Sequence, residues 1–484
     1  MAEENLKAKT LSGMIWSALQ RFGNMGISFV SNIVLARMLT PDDYGCIGML
    51  AIFITVSNTF LDGGFGSALI QKKKPTQKDY STIFWWNLFL SVLLYGLLFI
   101  SAPAVSRFYN IPLLESVLQV QGVILIINAL NIVQSNQLRK SINFKYLATI
   151  SLISHIVAVV LAIVLAYNGW GVWALVIQQI TASFCVSVML WVKNRWLPSL
   201  CFSVESFKEL FGFGGFILAS NLINTFCNNI QGLLIGKFFT PTTLGYYTQA
   251  RRLEEIASHS FSTVVDQVSY PVLSELQSDN NSLKNAIQRL TQALAYITFP
   301  IMLVLILVAE PLILMLYGEK WLPCVPYFRI LCIAGIAICL QGISYYAVAS
   351  KGKSKDIFIW TIIKRSVALI VLLVCMYFGG IMGLMWGCSI GSWIILLSNL
   401  YLVRKYIHYG LIQQIKDILP ILSLSVIVFL IVYVIGYIID LNLYVEGLML
   451  IIFYISIYIV LSLLFRVKAF LFLKEIVFNC INTK

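Results

Sequence analysis

The sequence is dominated by long apolar segments, each close to the about twenty residues that an α-helix needs to cross a bilayer. About fourteen occur, near positions 12–36, 44–70, 81–103, 114–136, 147–167, 170–192, 209–238, 243–270, 290–316, 327–349, 357–378, 381–403, 416–439 and 446–465. They are continuous rather than alternating with period two, which excludes a membrane barrel. The 484 residues are 59% hydrophobic and 11% charged, with a mean hydropathy of +0.85. We therefore predict an all-α polytopic membrane protein of about 14 transmembrane helices.

Lysine and arginine are distributed unevenly between alternate connections. One set of connections carries 24 of them, from Lys7 and Lys9 to Lys474 and Lys484. The other set carries only Arg37, Arg107, Lys237 and Lys320. Because cytoplasmic loops are enriched in lysine and arginine, both termini are expected in the cytoplasm. The same asymmetry accounts for most of the net charge of +13 without nucleic acid. Lys7 and Lys9 precede a full-length span with no small-residue cleavage site, so that span is expected to be its own insertion signal.

The chain contains an internal repeat. The segments "LARMLTPDDYG" (35–45) and "IGKFFTPTTLG" (235–245) align Thr40, Pro41 and Gly45 with residues 200 positions later. Six helices separate the copies, so both halves have the same orientation in the membrane. We predict two six-helix lobes, 1–200 and 201–408, followed by two extra helices and a tail in 409–484. Transporters of this design hold their substrate between the lobes, near the bilayer midplane.

Polar residues form matching faces on the first helix of each predicted lobe. On the first helix they are Ser17, Arg21, Asn24, Ser28 and Ser31, and the same positions on the seventh helix are Ile217, Asn221, Asn224, Asn228 and Gln231. Arg21 lies roughly 15 Å beyond Leu11 along the helix, where a cation costs about 2.5–3.5 kcal/mol. Hydrogen bonding between helices would explain one such face. Two faces in repeat register favour a shared aqueous cavity.

Charged residues occur on three further helices. On the eighth helix Arg252, Glu255, His259, Ser262 and Asp266 share a face, with Arg251 and Glu254 beside it, while the second helix has Thr55, Thr59 and Asp62 on the equivalent face. The eleventh helix adds Lys364 and Arg365, which have no acidic neighbour within their span. Either arginine of the eighth helix could instead form a local ion pair with Glu255. A net cationic cavity suits an anionic substrate, and Asp62, Glu255, Asp266 and His259 are the candidates for binding a coupling ion, H⁺ or Na⁺.

Motifs of catalysis and metal binding are missing from the sequence. It has no HExxH or Walker A pattern, and its cysteines form no CxxC and do not cluster with histidine. We therefore expect no catalytic residues, no metal site and no cofactor apart from a coupling ion.

Several short segments carry a resemblance to a known family. They are "LARMLTPDDYGCIGM", "LDGGFGSALIQKKKPT", "NQLRKSINFKYLA", "VSYPVLSELQSD", "LYGEKWLPCVPYFRIL" and "ASKGKSK", spread from the first helix to the eleventh. The sequence resembles the Wzx-like lipopolysaccharide and polysaccharide flippases of the multidrug/oligosaccharidyl-lipid/polysaccharide (MOP) superfamily. Members carry cavity arginines on the first and eighth helices, which correspond to Arg21 and to Arg251 or Arg252.

The resemblance implies a function and a location. It implies a flippase that moves polyprenyl-diphosphate-linked oligosaccharides from the cytoplasmic to the periplasmic leaflet of the bacterial inner membrane, by ion-coupled alternating access, for cell-surface polysaccharide synthesis. The expected partners are that lipid and the bilayer, with no nucleic acid. We expect a monomer that associates with the polysaccharide polymerase machinery. Three alternatives stay open. A multidrug (MATE-like) exporter of the same fold should have an acidic cavity, and a polysaccharide polymerase or ligase should have a large outer loop. The third alternative is a non-transporting scaffold.

Overall fold

The computed structural model describes residues 2–72, 75–194, 196–438 and 442–472, without the side chains of 2–11, 67, 70, 71, 212–214, 216, 217, 259, 261–268, 270, 271, 354 and 355. The helices are α1 (Ala2–Met38), α2 (Pro41–Asp62), α3 (Phe65–Gln71), α4 (Gln77–Tyr109), α5 (Leu113–Lys140), α6 (Phe144–Tyr167), α7 (Val172–Asn194), α8 (Val204–Phe238), α9 (Pro241–Glu275), α10 (Asn280–Leu307), α11 (Ala309–Tyr317), α12 (Val325–Ser350), α13 (Ser354–Ile407), α14 (Leu411–Ile438) and α15 (Leu443–Leu464), with a 3₁₀ helix at Glu319–Cys324.

The membrane-spanning helices match the sequence prediction. Within the described ranges, ten helical stretches are long and apolar enough to cross a membrane. One of them, Asp356–Ile407, reverses direction at Gly380 and so contains two passes. The helices with the predicted polar faces, α1, α8 and α9, are also of spanning length but fall outside those ten. The prediction of an all-α polytopic protein is confirmed, and the arrangement is consistent with fourteen spans.

The reversal inside α13 is built on glycines. Gly380 has φ 56° and ψ −137°, a backbone conformation that side-chain-bearing residues rarely adopt. Beyond it the two arms approach closely, because a Cβ added at Gly383 would lie 1.9 Å from the carbonyl oxygen of Cys375. Gly387 and Gly391 follow at the four-residue spacing that lets helices pack backbone to backbone in membranes. The sequence prediction of two spans, ending at 378 and starting at 381, agrees with this hairpin.

Three predicted segment boundaries differ from the structure. The span predicted at 44–70 breaks after Asp62, where Gly63 and Gly64 adopt positive φ values of 52° and 69° before α3 begins. The span predicted at 290–316 is divided between α10 and α11. Between the spans predicted at 243–270 and 290–316, α9 extends to Glu275 and α10 begins already at Asn280. Hydropathy measures the cost of transfer into lipid, which does not reveal where the backbone turns within an apolar segment.

The repeated Thr-Pro pair starts a helix in both copies. Thr40 caps α2: its side chain accepts a hydrogen bond from the Asp43 amide, and the Asp43 carboxylate accepts one from the Thr40 amide at 2.9 Å. In the second copy the Thr243 amide donates to Thr240 Oγ1 at 3.2 Å, ahead of α9. Proline suits the first helical position, where its missing N–H would have no intrahelical partner. The repeat found in the sequence is therefore a repeated helix start.

The chain forms two compact units, residues 1–248 and 249–484. In the first unit α1 packs against α6, α4 against α5, and α7 against both α5 and α6. This unit extends past the predicted lobe boundary at residue 200 because α8 packs against α2, α3 and α4. The predicted lobe boundaries at 200 and 408 come from the sequence repeat. They describe the symmetry of the two halves, which the compact units do not test, and they stay a prediction.

Within the first unit, the starts of α2 and α9 meet through a reciprocal glycine contact. A Cβ added at Gly45 would lie 1.9 Å from the Pro241 carbonyl oxygen, and one added at Gly245 would lie 2.0 Å from the Pro41 carbonyl oxygen. A third pair in the same register adds a hydrogen bond, since Thr242 Oγ1 donates to Asp42 Oδ1 at 2.6 Å. Each copy of the repeat thus makes the same contact with the other.

A charged cluster joins α4 to α8 in the same unit. Lys72, between α3 and α4, donates to Asp79 Oδ1 at 3.1 Å and to Glu209 Oε2 at 2.7 Å. The hydrogen bond to Glu209 and the nearby Asp79 raise the pKa of Lys72 above its usual value, against a smaller opposing effect of burial. This part of the basic connection is thereby held against the α8 helix.

In the second unit the last two helices dock against α10. Helix α10 contacts α12, α14 and α15, and α14 also contacts α15. Tyr296 of α10 donates to Ser462 Oγ at 2.8 Å, and Tyr458 of α15 donates to the Tyr296 carbonyl oxygen at 3.1 Å. All three side chains are buried. The two helices outside the repeat are thus fixed to the unit by specific buried hydrogen bonds.

Candidate functional site

The polar face of α1 is divided between helix packing and an exposed arginine. Asn24 donates to Ser151 Oγ on α6 at 2.6 Å, and Ser31 accepts a hydrogen bond from Gln178 of α7 at 2.9 Å. Hydrogen bonding between helices therefore accounts for part of this face. Arg21, one turn before Asn24, is exposed on the surface of the unit. Its predicted role in a cavity stays a prediction.

The corresponding polar face on α8, the seventh helix of the sequence prediction, is more exposed than that of α1. Asn221 and Asn228 are exposed and Asn224 is half-buried. The contact with α2 is made by the adjacent residue Thr225, whose hydroxyl lies 3.0 Å from that of Thr59. The predicted asparagine face therefore lies beside the helix–helix contact.

On α9 the structure distinguishes the two arginines. Arg251 Nε lies 2.7 Å from Glu255 Oε1, an ion pair of residues four apart on the helix, with both side chains half-exposed. The sequence had left open which arginine would pair with Glu255. Arg252 is half-buried and has no hydrogen bond or ion pair within the described ranges. The side chains of His259 and Asp266, two of the predicted coupling residues, lie outside the described residues.

Among the described side chains of α9, the buried carboxylate is Glu254, which the sequence had placed beside the polar face rather than among the coupling candidates. Its side chain is 4% exposed, and its Oε1 has no hydrogen-bond partner among the described residues. Space for it comes from Gly335 of α12, because a Cβ there would lie 2.5 Å from Glu254 Oε1. Asp62, a predicted coupling residue, is instead exposed at the last residue of α2. No signal in the sequence distinguished Glu254 from Glu255.

The lysine of α13 is buried against an amide. Lys364 is 7% exposed and donates to Asn399 Oδ1 at 2.7 Å, across the hairpin. The Asn399 amide in turn lies 3.3 Å from the Gln341 carbonyl oxygen of α12. Within the described ranges no carboxylate forms a salt bridge with Lys364. Arg365, the next residue, is half-buried. Among the predicted site residues of the second unit, Arg252 and Lys364 are thus cations without an acidic partner in the part of the chain that the structure describes.

Metal ligation finds no support in the described residues. They contain no group of three or more histidine, cysteine, aspartate or glutamate side chains that could hold a metal ion. None of the nine described cysteines forms a disulfide bond. The chemistry that the charged residues offer is electrostatic: cations that can bind an anion, and a buried carboxylate that can exchange a proton or bind a small cation.

Solved structures of other membrane transporters share this fold. "Lipid II flippase MurJ, inward closed conformation" matches with a TM-score of 0.76 at 15% identity, covering 94% of this chain and 99% of that one. An inward-facing "multidrug resistance MATE family transporter of the MOP superfamily" matches with a TM-score of 0.64 at 13% identity, covering 81% and 98%. At these identities the matches establish the fold and leave the substrate undecided.

Curated sequences identify closer relatives. "Teichuronic acid biosynthesis protein TuaB" of Bacillus subtilis (strain 168) is 26% identical over 74% of each chain. "Lipopolysaccharide biosynthesis protein WzxC" of Escherichia coli (strain K12) is 23% identical over 69% of this chain and 68% of its own. "Succinoglycan biosynthesis transport protein ExoT" of Rhizobium meliloti (strain 1021) is 25% identical over 74% and 73%.

A family model extends these pairwise similarities. The model described as "Polysaccharide biosynthesis protein" matches residues 34–326, more than half of the chain. The match begins near the end of α1 and ends in α12, so it includes the repeated helix starts and all of α9. The resemblance inferred from the short sequence segments is confirmed, and the chain belongs to the polysaccharide biosynthesis protein family.

Proposed function

We propose that this chain is a flippase that transfers polyprenyl-diphosphate-linked oligosaccharides across the bacterial inner membrane, from the cytoplasmic to the periplasmic leaflet. Its family and the names of its relatives support a role in polysaccharide export. The proposed mechanism is alternating access by a monomer, driven by an ion gradient, with no chemical step. Polysaccharide polymerases are proposed as neighbours in the same pathway.

The observation that carries this proposal is the set of membrane-depth cations without acidic partners in the described part of the chain. Arg252 has no partner there, and buried Lys364 has only an amide oxygen. An unpaired cation at this depth is costly, and a diphosphate entering beside it offsets that cost through charge-assisted hydrogen bonds. Guanidinium groups suit phosphate because their N–H donors match its geometry in pairs.

Two of the three alternative functions, the multidrug exporter and the polymerase or ligase, fit these features less well. A multidrug exporter shares the fold, but an exporter of small cations needs carboxylates rather than unpaired cations at its site. A polymerase or ligase would be expected to carry a large loop outside the membrane. The described connections on the predicted outer side are short, as between Tyr109 of α4 and Leu113 of α5.

The proposal is tested with the purified chain in liposomes. The substrate is a fluorescent polyprenyl-diphosphate-linked oligosaccharide, whose transfer is followed by loss of access to an impermeant quencher. We expect transfer that depends on the protein, and none of an analogue in which a neutral ether replaces the diphosphate. Equal transfer of both lipids, or transfer of a cationic dye instead, contradicts the proposal.

Ion coupling is proposed to depend on Glu254, because a buried carboxylate without a complete set of hydrogen bonds is suited to gain and lose a proton. We expect Glu254→Gln, which keeps the shape and removes the charge, to abolish the acceleration of transport by an imposed proton or sodium gradient. Membrane levels should stay normal. Glu255→Gln, one residue away, neutralises the partner of Arg251 and is the matched control, expected to retain the response to the gradient. A normal gradient response in Glu254→Gln would contradict this assignment and, with the response also retained in Glu255→Gln, leave Asp62, Asp266 and His259 as the candidates.

Orientation is proposed from the charge asymmetry, with both termini in the cytoplasm. The two ends of α4 provide a matched test, because Lys78 and Arg107 are both exposed and lie at opposite ends of one helix. In intact spheroplasts, an impermeant thiol reagent should label Arg107→Cys and spare Lys78→Cys, measured above the labelling of the parent chain. The reverse pattern would place the termini outside.

A further inference from the structure

We propose that the second unit contains a binding site for an anionic phospholipid, formed by α10, α14 and the segment that follows α15. A cavity of about 540 Å³ lies between these elements. Its lining combines three cations, Lys416, Arg466 and Lys468, with apolar side chains that include Leu424, Ile427 and Phe465. None of the residues predicted for the transport site lines it.

The charges at the cavity are available to an anion. Within the described residues, none of the three cations forms a salt bridge. The one acidic residue in the lining, Asp417, is already engaged by neutral donors: Gln288 Nε2 donates to its Oδ1 at 2.8 Å, and the Tyr409 hydroxyl donates to its Oδ2. The lining therefore carries a net positive charge of two. The Asp417 carboxylate accepts hydrogen bonds from neutral donors and does not form an ion pair with the three described cations.

The backbone at Arg466 adds an independent sign of function. The Arg466 amide donates to the Leu463 carbonyl and the Val467 amide donates to the Ser462 carbonyl, the two hydrogen bonds of a Schellman helix end. The residue at this position adopts a left-handed conformation and is usually glycine, yet here it is an arginine with φ 48°. An L-residue is disfavoured in this conformation. Such local strain is typical of positions where a side chain has a function, here that of a phosphate ligand.

The shape of the cavity selects a lipid rather than a soluble anion. From Lys416 to Ile427 the lining follows α14 for eleven residues, or roughly 16 Å at 1.5 Å per residue. It leads from cations at the end of the helix to apolar side chains within the span. A glycerophospholipid has the same order of groups, with a phosphate next to acyl chains. In the proposed orientation the cationic end faces the cytoplasmic leaflet, where basic pockets between helices bind anionic head groups.

The test measures lipid retention by the full-length protein in detergent, using native mass spectrometry with added phosphatidylglycerol or phosphatidylcholine. We expect the wild type to retain phosphatidylglycerol in preference to phosphatidylcholine by about tenfold. A triple variant, Lys416→Ala with Arg466→Ala and Lys468→Ala, should lose that preference. A control triple, Lys78→Ala with Arg139→Ala and Lys208→Ala, removes the same number of exposed basic residues elsewhere and should retain it.

A second variant tests the space in the cavity independently of its charge. Ser423 lines the cavity and is exposed. Ser423→Trp should fill the space and lower phosphatidylglycerol retention without changing any charge. The proposal is overturned if the wild type retains the two lipids equally, or if the control triple loses the preference as well. Displacement of the lipid by inorganic phosphate alone would also overturn it, because that result would indicate a site for free anions. The readout is lipid binding rather than transport, so the result is independent of the proposed flippase activity.

Discussion

Arg21→Ala and Arg252→Ala are each expected to reduce transfer of a polyprenyl-diphosphate-linked oligosaccharide by roughly ten- to a hundredfold in liposomes. A charge-assisted contact to phosphate contributes about 1.5–3 kcal/mol, and about 1.4 kcal/mol corresponds to tenfold in binding. Arg21→Lys should be intermediate, because an ammonium group keeps the attraction and loses the paired donors of guanidinium. The initial rate of quencher protection, at equal protein incorporation, measures the effect.

The controls separate substrate binding from structural damage. Arg107→Ala removes an exposed arginine near the end of α4 and should transport like the wild type. Arg251→Ala breaks the ion pair with Glu255, so a loss there has a structural explanation that a loss at Arg252 lacks. If Arg21→Ala and Arg252→Ala both express normally and transport fully, the proposed mechanism of anion binding is wrong.

Gly45→Ala and Gly245→Ala are expected to have the largest effects on stability. The added Cβ would lie 1.9 Å from the Pro241 oxygen in one case and 2.0 Å from the Pro41 oxygen in the other, so two backbones must separate. Overpacking of this kind costs typically about 1–3 kcal/mol, and a backbone oxygen yields less than a flexible side chain. We expect a lower apparent melting temperature for the purified protein, with a parallel loss of transport.

Two glycines elsewhere provide matched controls. Gly26 of α1 and Gly96 of α4 are helical and would have no neighbour within 4 Å of an added Cβ. Alanine has the higher helix propensity, so Gly26→Ala and Gly96→Ala should be as stable as the wild type or slightly more stable. Wild-type melting in Gly45→Ala and Gly245→Ala would show that the reciprocal contact does not hold the helix starts together.

The electrostatic site was only partly predictable from the sequence. The spacing of residues placed Arg21, Asn24 and Ser31 on one face of α1, because side chains three and four positions apart lie together on a helix. It did not show that Asn24 and Ser31 form hydrogen bonds with Ser151 and Gln178, residues more than a hundred positions away. Such partners depend on which helices are neighbours, and helix periodicity carries no information on that.

The sequence by itself determined most of the spanning segments, the Thr-Pro repeat and the break near Gly380, and the structure showed that each copy of the repeat starts a helix. Each depends on a local energy: transfer of a segment into lipid, capping of a helix end, or the conformational freedom of one glycine. Only the tertiary structure decided that Glu255 pairs with Arg251 while Glu254 is buried against Gly335. Adjacent helical residues point about 100° apart, so their environments are set by the neighbouring helix and not by their own segment.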